Sequence, residues 1–236
     1  MKTKPWMRIG SIAILLFSSF AAQAQSSKRP EILKQIETLR SQLKVLEDSY
    51  LSPSEQELAA YASLLRQPDT GLIRLLPREK YDNPDKLTIR GGGAYYSFSH
   101  LTHEYGYGSD IELQGNQLSV GFAGADFGMI ARIESTSLEK LTLGSSGVAF
   151  LSGYVPPNEI QKARSEFRRF SEGVRDAGTV YRSRVPLAVG ATYVLRSINY
   201  HSSDVLVGLH VVSTDDDGSA VIAWKMLKKY PVPSLD

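Results

Sequence analysis

The sequence predicts an α+β protein: an N-terminal helical hairpin followed by a mainly antiparallel, β-rich domain, a sandwich or an open barrel, with one inserted helix. Three observations lead there. Apolar residues between 32 and 65 recur at helical spacing, whereas beyond residue 84 they alternate with polar neighbours in short runs parted by turn residues. Only one stretch of that second region, 158–175, returns to a helical period. Short connections between the runs favour antiparallel pairing.

The first 24 residues differ from the rest. Lys2, Lys4 and Arg8 precede a mostly apolar run from Ile9 to Ala22, and Ala22-Gln23-Ala24 places small residues where a signal peptidase cuts. An apolar run of about 14 residues falls short of the roughly 20 that span a bilayer. A cleavable signal peptide over 1–24 is therefore expected, with a periplasmic or secreted, bacterial product and no transmembrane segment after cleavage. Cleavage removes three basic residues and no acidic one, leaving 24 basic against 25 acidic side chains. That near-neutral balance argues against a nucleic-acid partner. The chain has no cysteine, so disulfides, thiolate metal sites and cysteine nucleophiles are excluded. The remaining 212 residues are long enough to bury roughly 70% of their unfolded surface without such staples.

After a short flexible leader at 25–29, Ile32, Ile36, Leu39, Leu43, Leu46 and Tyr50 form a stripe at alternating spacings of four and three. The stripe covers about two and a half heptads, fewer than a coiled coil asks for, so packing within the chain is expected ahead of weak self-association through 32–50. Ser52-Pro53-Ser54-Glu55 offers a cap at Ser52, a proline at the first helical position and a capping-box glutamate. The second helix should run to Pro68-Asp69-Thr70-Gly71, and the hairpin with its connector should occupy 30–83.

The β-rich domain is expected over 84–236. Leu87–Arg90 leads to Gly91-Gly92-Gly93 and then to Tyr95, Tyr96 and Phe98; Ile111 and Leu113 face Leu118, Val120 and Phe122 across a Gly115-Asn116 turn. Further strands are expected at 128–134, 140–143, 147–155, 179–184, 191–199, 204–213 and 219–227, with Thr214–Gly218 as the last hairpin turn. Gly93-Ala94-x-Tyr96-x-Phe98 with Ser109-Asp110-Ile111 also resembles Gly190-Ala191-x-Tyr193-x-Leu195 with Ser203-Asp204-Val205, a candidate internal repeat.

Chemistry concentrates in residues 95–110, which hold two of four histidines and four of twelve tyrosines. The candidate ligand-binding residues are Tyr95, His100, His103, Glu104, Tyr105, Tyr107 and Asp110. Tyrosine rings stack on apolar faces while hydroxyl, imidazole and carboxylate groups hydrogen-bond, a combination that suits a glycan or a peptide. The same alternating aromatics also suit a core or cross-strand pairs. His100-x-x-His103-Glu104 does not match a helical zinc motif, and no metal site or cofactor is expected. Gly144-Ser145-Ser146-Gly147 is one residue short of a nucleophile elbow. The carboxylates Glu104, Asp110, Glu112 and Asp126 share one region without a legible spacing. Asp215-Asp216-Asp217-Gly218 reads as a turn, since the calcium-loop spacing and terminal glutamate are missing.

Charge is uneven. Residues 162–184 hold seven basic and three acidic side chains, and residues 100–139 hold six acidic and one basic. The basic segment suits an anionic envelope polymer, lipid headgroup or acidic partner. The expected function is an exported, non-catalytic binding module with a glycan, peptide or envelope protein as partner. The alternative is an exported hydrolase, with or without metal assistance, centred on His100, His103, Glu104 and Asp110.

Overall fold

The computed structural model describes residues 12–81, 86–106, 108–122, 124–133 and 136–236, with side chains from residue 28 onward. Of the expected signal peptide, residues 1–11 lie outside the described residues, as do Asn83-Pro84. The chain divides into two compact units, one ending at Tyr50 and one spanning Leu51–Asp236.

The described residues of the first unit form one helix, α1 (Ile12–Tyr50), which passes through Pro30 and through residues 25–29, the segment expected to be a leader. Gln, Ser, Lys and Arg all tolerate a helical backbone, and nothing there stops a helix. Its stripe from Ile32 to Tyr50 is exposed at all six positions.

The second unit opens with α2 (Glu55–Ala60) and α3 (Ala62–Leu65), two short pieces where a single helix was expected. The capping box sits two residues later than the sequence suggested. Ser54 Oγ accepts the Glu57 N–H and the Glu57 carboxylate accepts the Ser54 N–H, at 3.3 and 2.8 Å. Glu57 also accepts from Ser213 Oγ (2.5 Å) and pairs with Arg74, contacts that a box at Ser52 could not make. Leu64 is buried with the β domain, so these helices belong to it.

Next comes β1 (Thr70–Leu75), a strand the sequence reading missed. Gly71 had read as a helix stop, yet a Cβ there would lie 2.4 Å from the Trp224 indole, so the glycine makes room for a ring across the sheet. After α4 (Arg78–Tyr81) and a turn in which Gly91, Gly92 and Gly93 all have positive φ, β2 (Tyr95–Tyr96), β3 (Ile111–Gln114) and β4 (Gln117–Ser119) follow. Gln114 and Gln117 pair across the expected Gly115-Asn116 turn. No strand forms at 87–90.

Beyond β5 (Phe127–Ile133), the strands expected at 140–143 and 147–155 are instead a 3-10 turn (Leu138–Lys140) with the segment that follows it, and α5 (Ala149–Gly153). Short apolar runs fit either period, and here Leu138, Val148 and Leu151 are buried from helical geometry. The inserted helix is present as α6 (Ile160–Glu172). It ends at Gly173, two residues short of the expected 175, and Ala177-Gly178 is the turn between β6 (Val174–Asp176) and β7 (Thr179–Tyr181). Both turn residues have positive φ, 44° and 85°. Finally come β8 (Arg184–Pro186), β9 (Thr192–Asn199), β10 (Ser203–Thr214) and β11 (Ala220–Lys229).

The architecture is α+β with antiparallel sheets. Five strands run in the order β1-β11-β10-β9-β5 and four in the order β2-β3-β4-β8, with β6-β7 as a separate ribbon. One face of the larger sheet (Leu75, Tyr193, Leu195, Val207, Ile222) shares a core with Ile111, Leu113 and Leu118 of the smaller. Its other face (Phe127, Met129, Val194, Leu206) packs against Leu64, Leu151, Ala163 and Phe170. That double burial explains why all eight residues of β9 are buried. At one edge the two sheets are tied by a single bridge, Ile130 to Arg182. The candidate repeat is not matched in register: Tyr96 pairs with Ile111, but its counterpart Tyr193 pairs with Leu209.

Candidate functional site

The stretch 95–110 leaves β2, loops over the surface and returns at β3, and its polar groups point to different surroundings. Tyr95 lies on the outer face of the small sheet. Its hydroxyl donates to Glu112 Oε1 at 2.7 Å, and Arg78 and Ser119 complete the carboxylate's partners at 3.0 Å each. Burial and the Glu112 carboxylate push the Tyr95 phenol up. The Tyr105 ring lies tilted against the Tyr95 ring, with centroids 4.5 Å apart. His103 Nε2–H donates to the Arg74 carbonyl at 2.9 Å while its ring meets Tyr96 edge-on. His100 is exposed, with Nδ1 3.1 Å from Ser97 Oγ, and Glu104 accepts the Arg90 N–H at 3.1 Å. Tyr107 lies outside the described residues.

Asp110 is fully buried between the sheets. Its carboxylate accepts the Phe98 N–H at 2.7 Å and Asn199 Nδ2–H at 2.9 Å; Asn199 also donates to Ser197 and Ser203. Burial pushes the Asp110 carboxyl up to about 7, and the donors from Ser197, Phe98, Ser99 and Asn199 offset only part of that rise. The residue ties the start of β3 to β9, one sheet to the other.

The four carboxylates of the region therefore serve four separate environments, Asp126 accepting the Tyr200 N–H at 2.9 Å. Among the described residues no group of three or more His, Asp or Glu is placed to hold a metal ion. Ser145 Oγ accepts the Thr142 N–H at 3.0 Å in the turn before α5. Asp215 and Asp217 serve the last hairpin turn, Asp215 paired with Arg74 and Asp217 accepting Tyr81 Oη–H at 2.6 Å. Burial alone would raise Asp217, but donors from Tyr81 and Ser219 and the nearby Lys80 ammonium bring it down to about 2.

A different constellation forms where the sheet edges meet. Beyond the Ile130–Arg182 bridge, β5 and the segment leading into β8 separate, and a cleft of about 710 Å³ opens between them and the Ala177-Gly178 turn. Arg132, Arg182 and Arg184 line it, with Ser146, Thr179 and the apolar Ile133, Val180, Val185 and Pro186. All three arginines are exposed, their side chains find no hydrogen-bond or ion-pair partner among the described residues, and no carboxylate lines the cleft among those residues. Four of the other arginines are paired, Arg74 with Glu57 and Asp215, Arg78 with Glu112, Arg169 with Glu166 and Arg196 with Asp204, while Arg40, Arg66, Arg164 and Arg175 have no ion pair among the described residues, so what sets the cleft apart is three guanidinium groups in one concave site. Tyr193 braces the rim, its hydroxyl donating to the Pro186 carbonyl (2.8 Å) and accepting the Ala188 N–H (3.0 Å).

The sequence reading found Arg182 and Arg184 within a basic segment, but Arg132 was hidden as the lone cation of an acidic one. The antiparallel bridge is what brings them together. Comparison with family models, curated proteins and solved structures finds no match for this chain.

Proposed function

We propose that this protein is an exported, non-catalytic binding module that takes an anionic ligand in the cleft lined by Arg132, Arg182 and Arg184. The observation that carries this reading is three exposed guanidinium groups in one concave site without a counter-charge among the described residues. Like charges held together repel, and an arriving anion relieves that cost. The non-catalytic part is supported by the internal bonds made by Tyr95, His103 and Asp110, and by the separate surroundings of the four carboxylates. Export is supported by the three-part composition of residues 1–24. We read the two sheets as a sandwich clasped at one edge, with the cleft where the clasp ends.

Fluorescently labelled dextran sulfate, titrated at low salt and again at high salt, tests the binding reading. Saturable binding that weakens with salt and disappears in the triple Arg132→Ala/Arg182→Ala/Arg184→Ala variant is expected. Equal binding by that variant, at an unchanged melting temperature, would move the site elsewhere.

A further inference from the structure

The cleft's cations are all arginine; no lysine lines it among the described residues. The distinction matters chemically. Guanidinium is a planar fork that meets two oxygens of one oxyanion at once, whereas ammonium acts as a point charge. Three forks facing one space are poorly matched by a single carboxylate, which offers two oxygens and one charge. A phosphomonoester offers three terminal oxygens and a charge of about −1.5 to −2 near neutral pH.

The backbone adds donors of the same kind. Ile130 and Arg182 exchange both of their N–H···O bonds, at 2.7 and 3.0 Å, so by strand alternation the Arg132 N–H also turns away from β9 toward the cleft edge. Ser183 and Leu187 turn toward β4 and its turn, with Val120 donating to the Ser183 carbonyl and Leu187 to Asn116, which leaves Arg184 turned the other way. The bridge stops after one pair, so these edge groups are not used in a ladder.

Size decides what accompanies the charged group. The cleft, at about 710 Å³, lies within the roughly 300–1,000 Å³ of small-molecule sites and far exceeds a bare phosphate. Ile133, Val180, Val185 and Pro186 give it apolar wall beside the guanidinium groups. We infer that the cleft recognises a phosphomonoester head by guanidinium forks, with the carbon body that bears it against the apolar wall. This rests on the anion-binding reading and specifies its ligand.

Titration calorimetry on the purified full chain separates the two. The probes are glucose 6-phosphate, inorganic phosphate, acetate and vesicles of phosphatidylcholine with and without phosphatidic acid. At least one phosphomonoester-bearing probe should bind, acetate should not, and Arg132→Lys, Arg182→Lys and Arg184→Lys should each weaken binding by about ten-fold although charge is kept. Binding of glucose 6-phosphate alone identifies a soluble source, and binding of phosphatidic acid vesicles alone a lipid-borne one; both support the inference. Lysine variants that bind like the parent, or acetate that binds like the phosphates, would overturn it while leaving the anion site standing. Dextran sulfate binding with no response to any phosphomonoester would also overturn it. No binding to any anion, dextran sulfate included, would sink the functional reading itself. Unchanged melting temperatures for the exposed-site variants confirm that folding is not what the titrations report.

Discussion

Arg196 of β9 and Asp204 of β10 meet diagonally across the strand pair with side chains 1% exposed, joined by two parallel bonds of 2.9 and 2.8 Å. The same guanidinium donates to the carbonyls of Leu151 and Tyr154, both at 2.6 Å, and the Tyr230 ring lies 3.8 Å over it. One side chain thus fastens β9, the end of α5 with the residue after it, and the start of the C-terminal segment. Burial pushes the Asp204 carboxyl up, against the pull of Arg196.

Removing one partner of this pair leaves a buried charge without its counter-ion. Asp204→Ala and Arg196→Met are each expected to cost about 3–5 kcal/mol in urea unfolding. The double variant Arg196→Met/Asp204→Leu should lose less than the sum of the singles, because no charge is stranded. Strict additivity would show that the two groups are not coupled. Arg196→Lys should recover little, since it lacks the fork and the planar face under Tyr230.

Asp110 predicts a pH dependence. Its folded-state pKa, about 7, lies above its ordinary value of 3.8, so the folded protein holds a proton that the unfolded chain releases earlier. The stability this contributes is complete below the ordinary value and is lost as pH rises through about 7, with a slope of at most about 1.4 kcal/mol per pH unit. Unfolding the parent and Asp110→Asn from pH 5 to 8 should show the parent losing ground up to about pH 7 and a constant offset above it. Asp126 and Asp204 are also raised by burial, and Glu57 and Asp217 lowered, but these are common to both proteins and cancel in the difference. A difference that does not change with pH would mean Asp110 is ionised throughout.

Phe98 anchors the loop of residues 95–110 in the core, its ring 5.3 Å from both Tyr96 and Trp224. Phe98→Ala should cost about 3–5 kcal/mol. Gly71→Val should also destabilise, because its side chain would meet the Trp224 indole that closes this aromatic group. Urea midpoints measure both, and a Gly71→Val protein as stable as the parent would show that the indole can move aside.

The α+β class, the turn at Gly115-Asn116, the inserted helix and the last hairpin were legible because each rests on local chemistry: a period of 2 or 3.6, a glycine where φ is positive, a cluster of turn residues. What escaped was decided at a distance. Gly71 looks like a stop until Trp224 arrives beside it, and Leu138 and Leu151 carry no mark of helix or strand until Phe127 and Phe170 supply a wall. Ser54 outcompetes Ser52 as a cap only once Arg74 and Ser213 hold Glu57. Histidine, tyrosine and acid crowding in 95–110 was visible, but sequence proximity says nothing of direction, and alternate residues of a strand face opposite ways. By itself the sequence determined composition, the absence of thiol chemistry and the local segments. The cleft was decided by tertiary structure alone, because Arg132 stands about fifty residues from Arg182 and Arg184 and only an antiparallel bridge between two sheet edges sets them in one space.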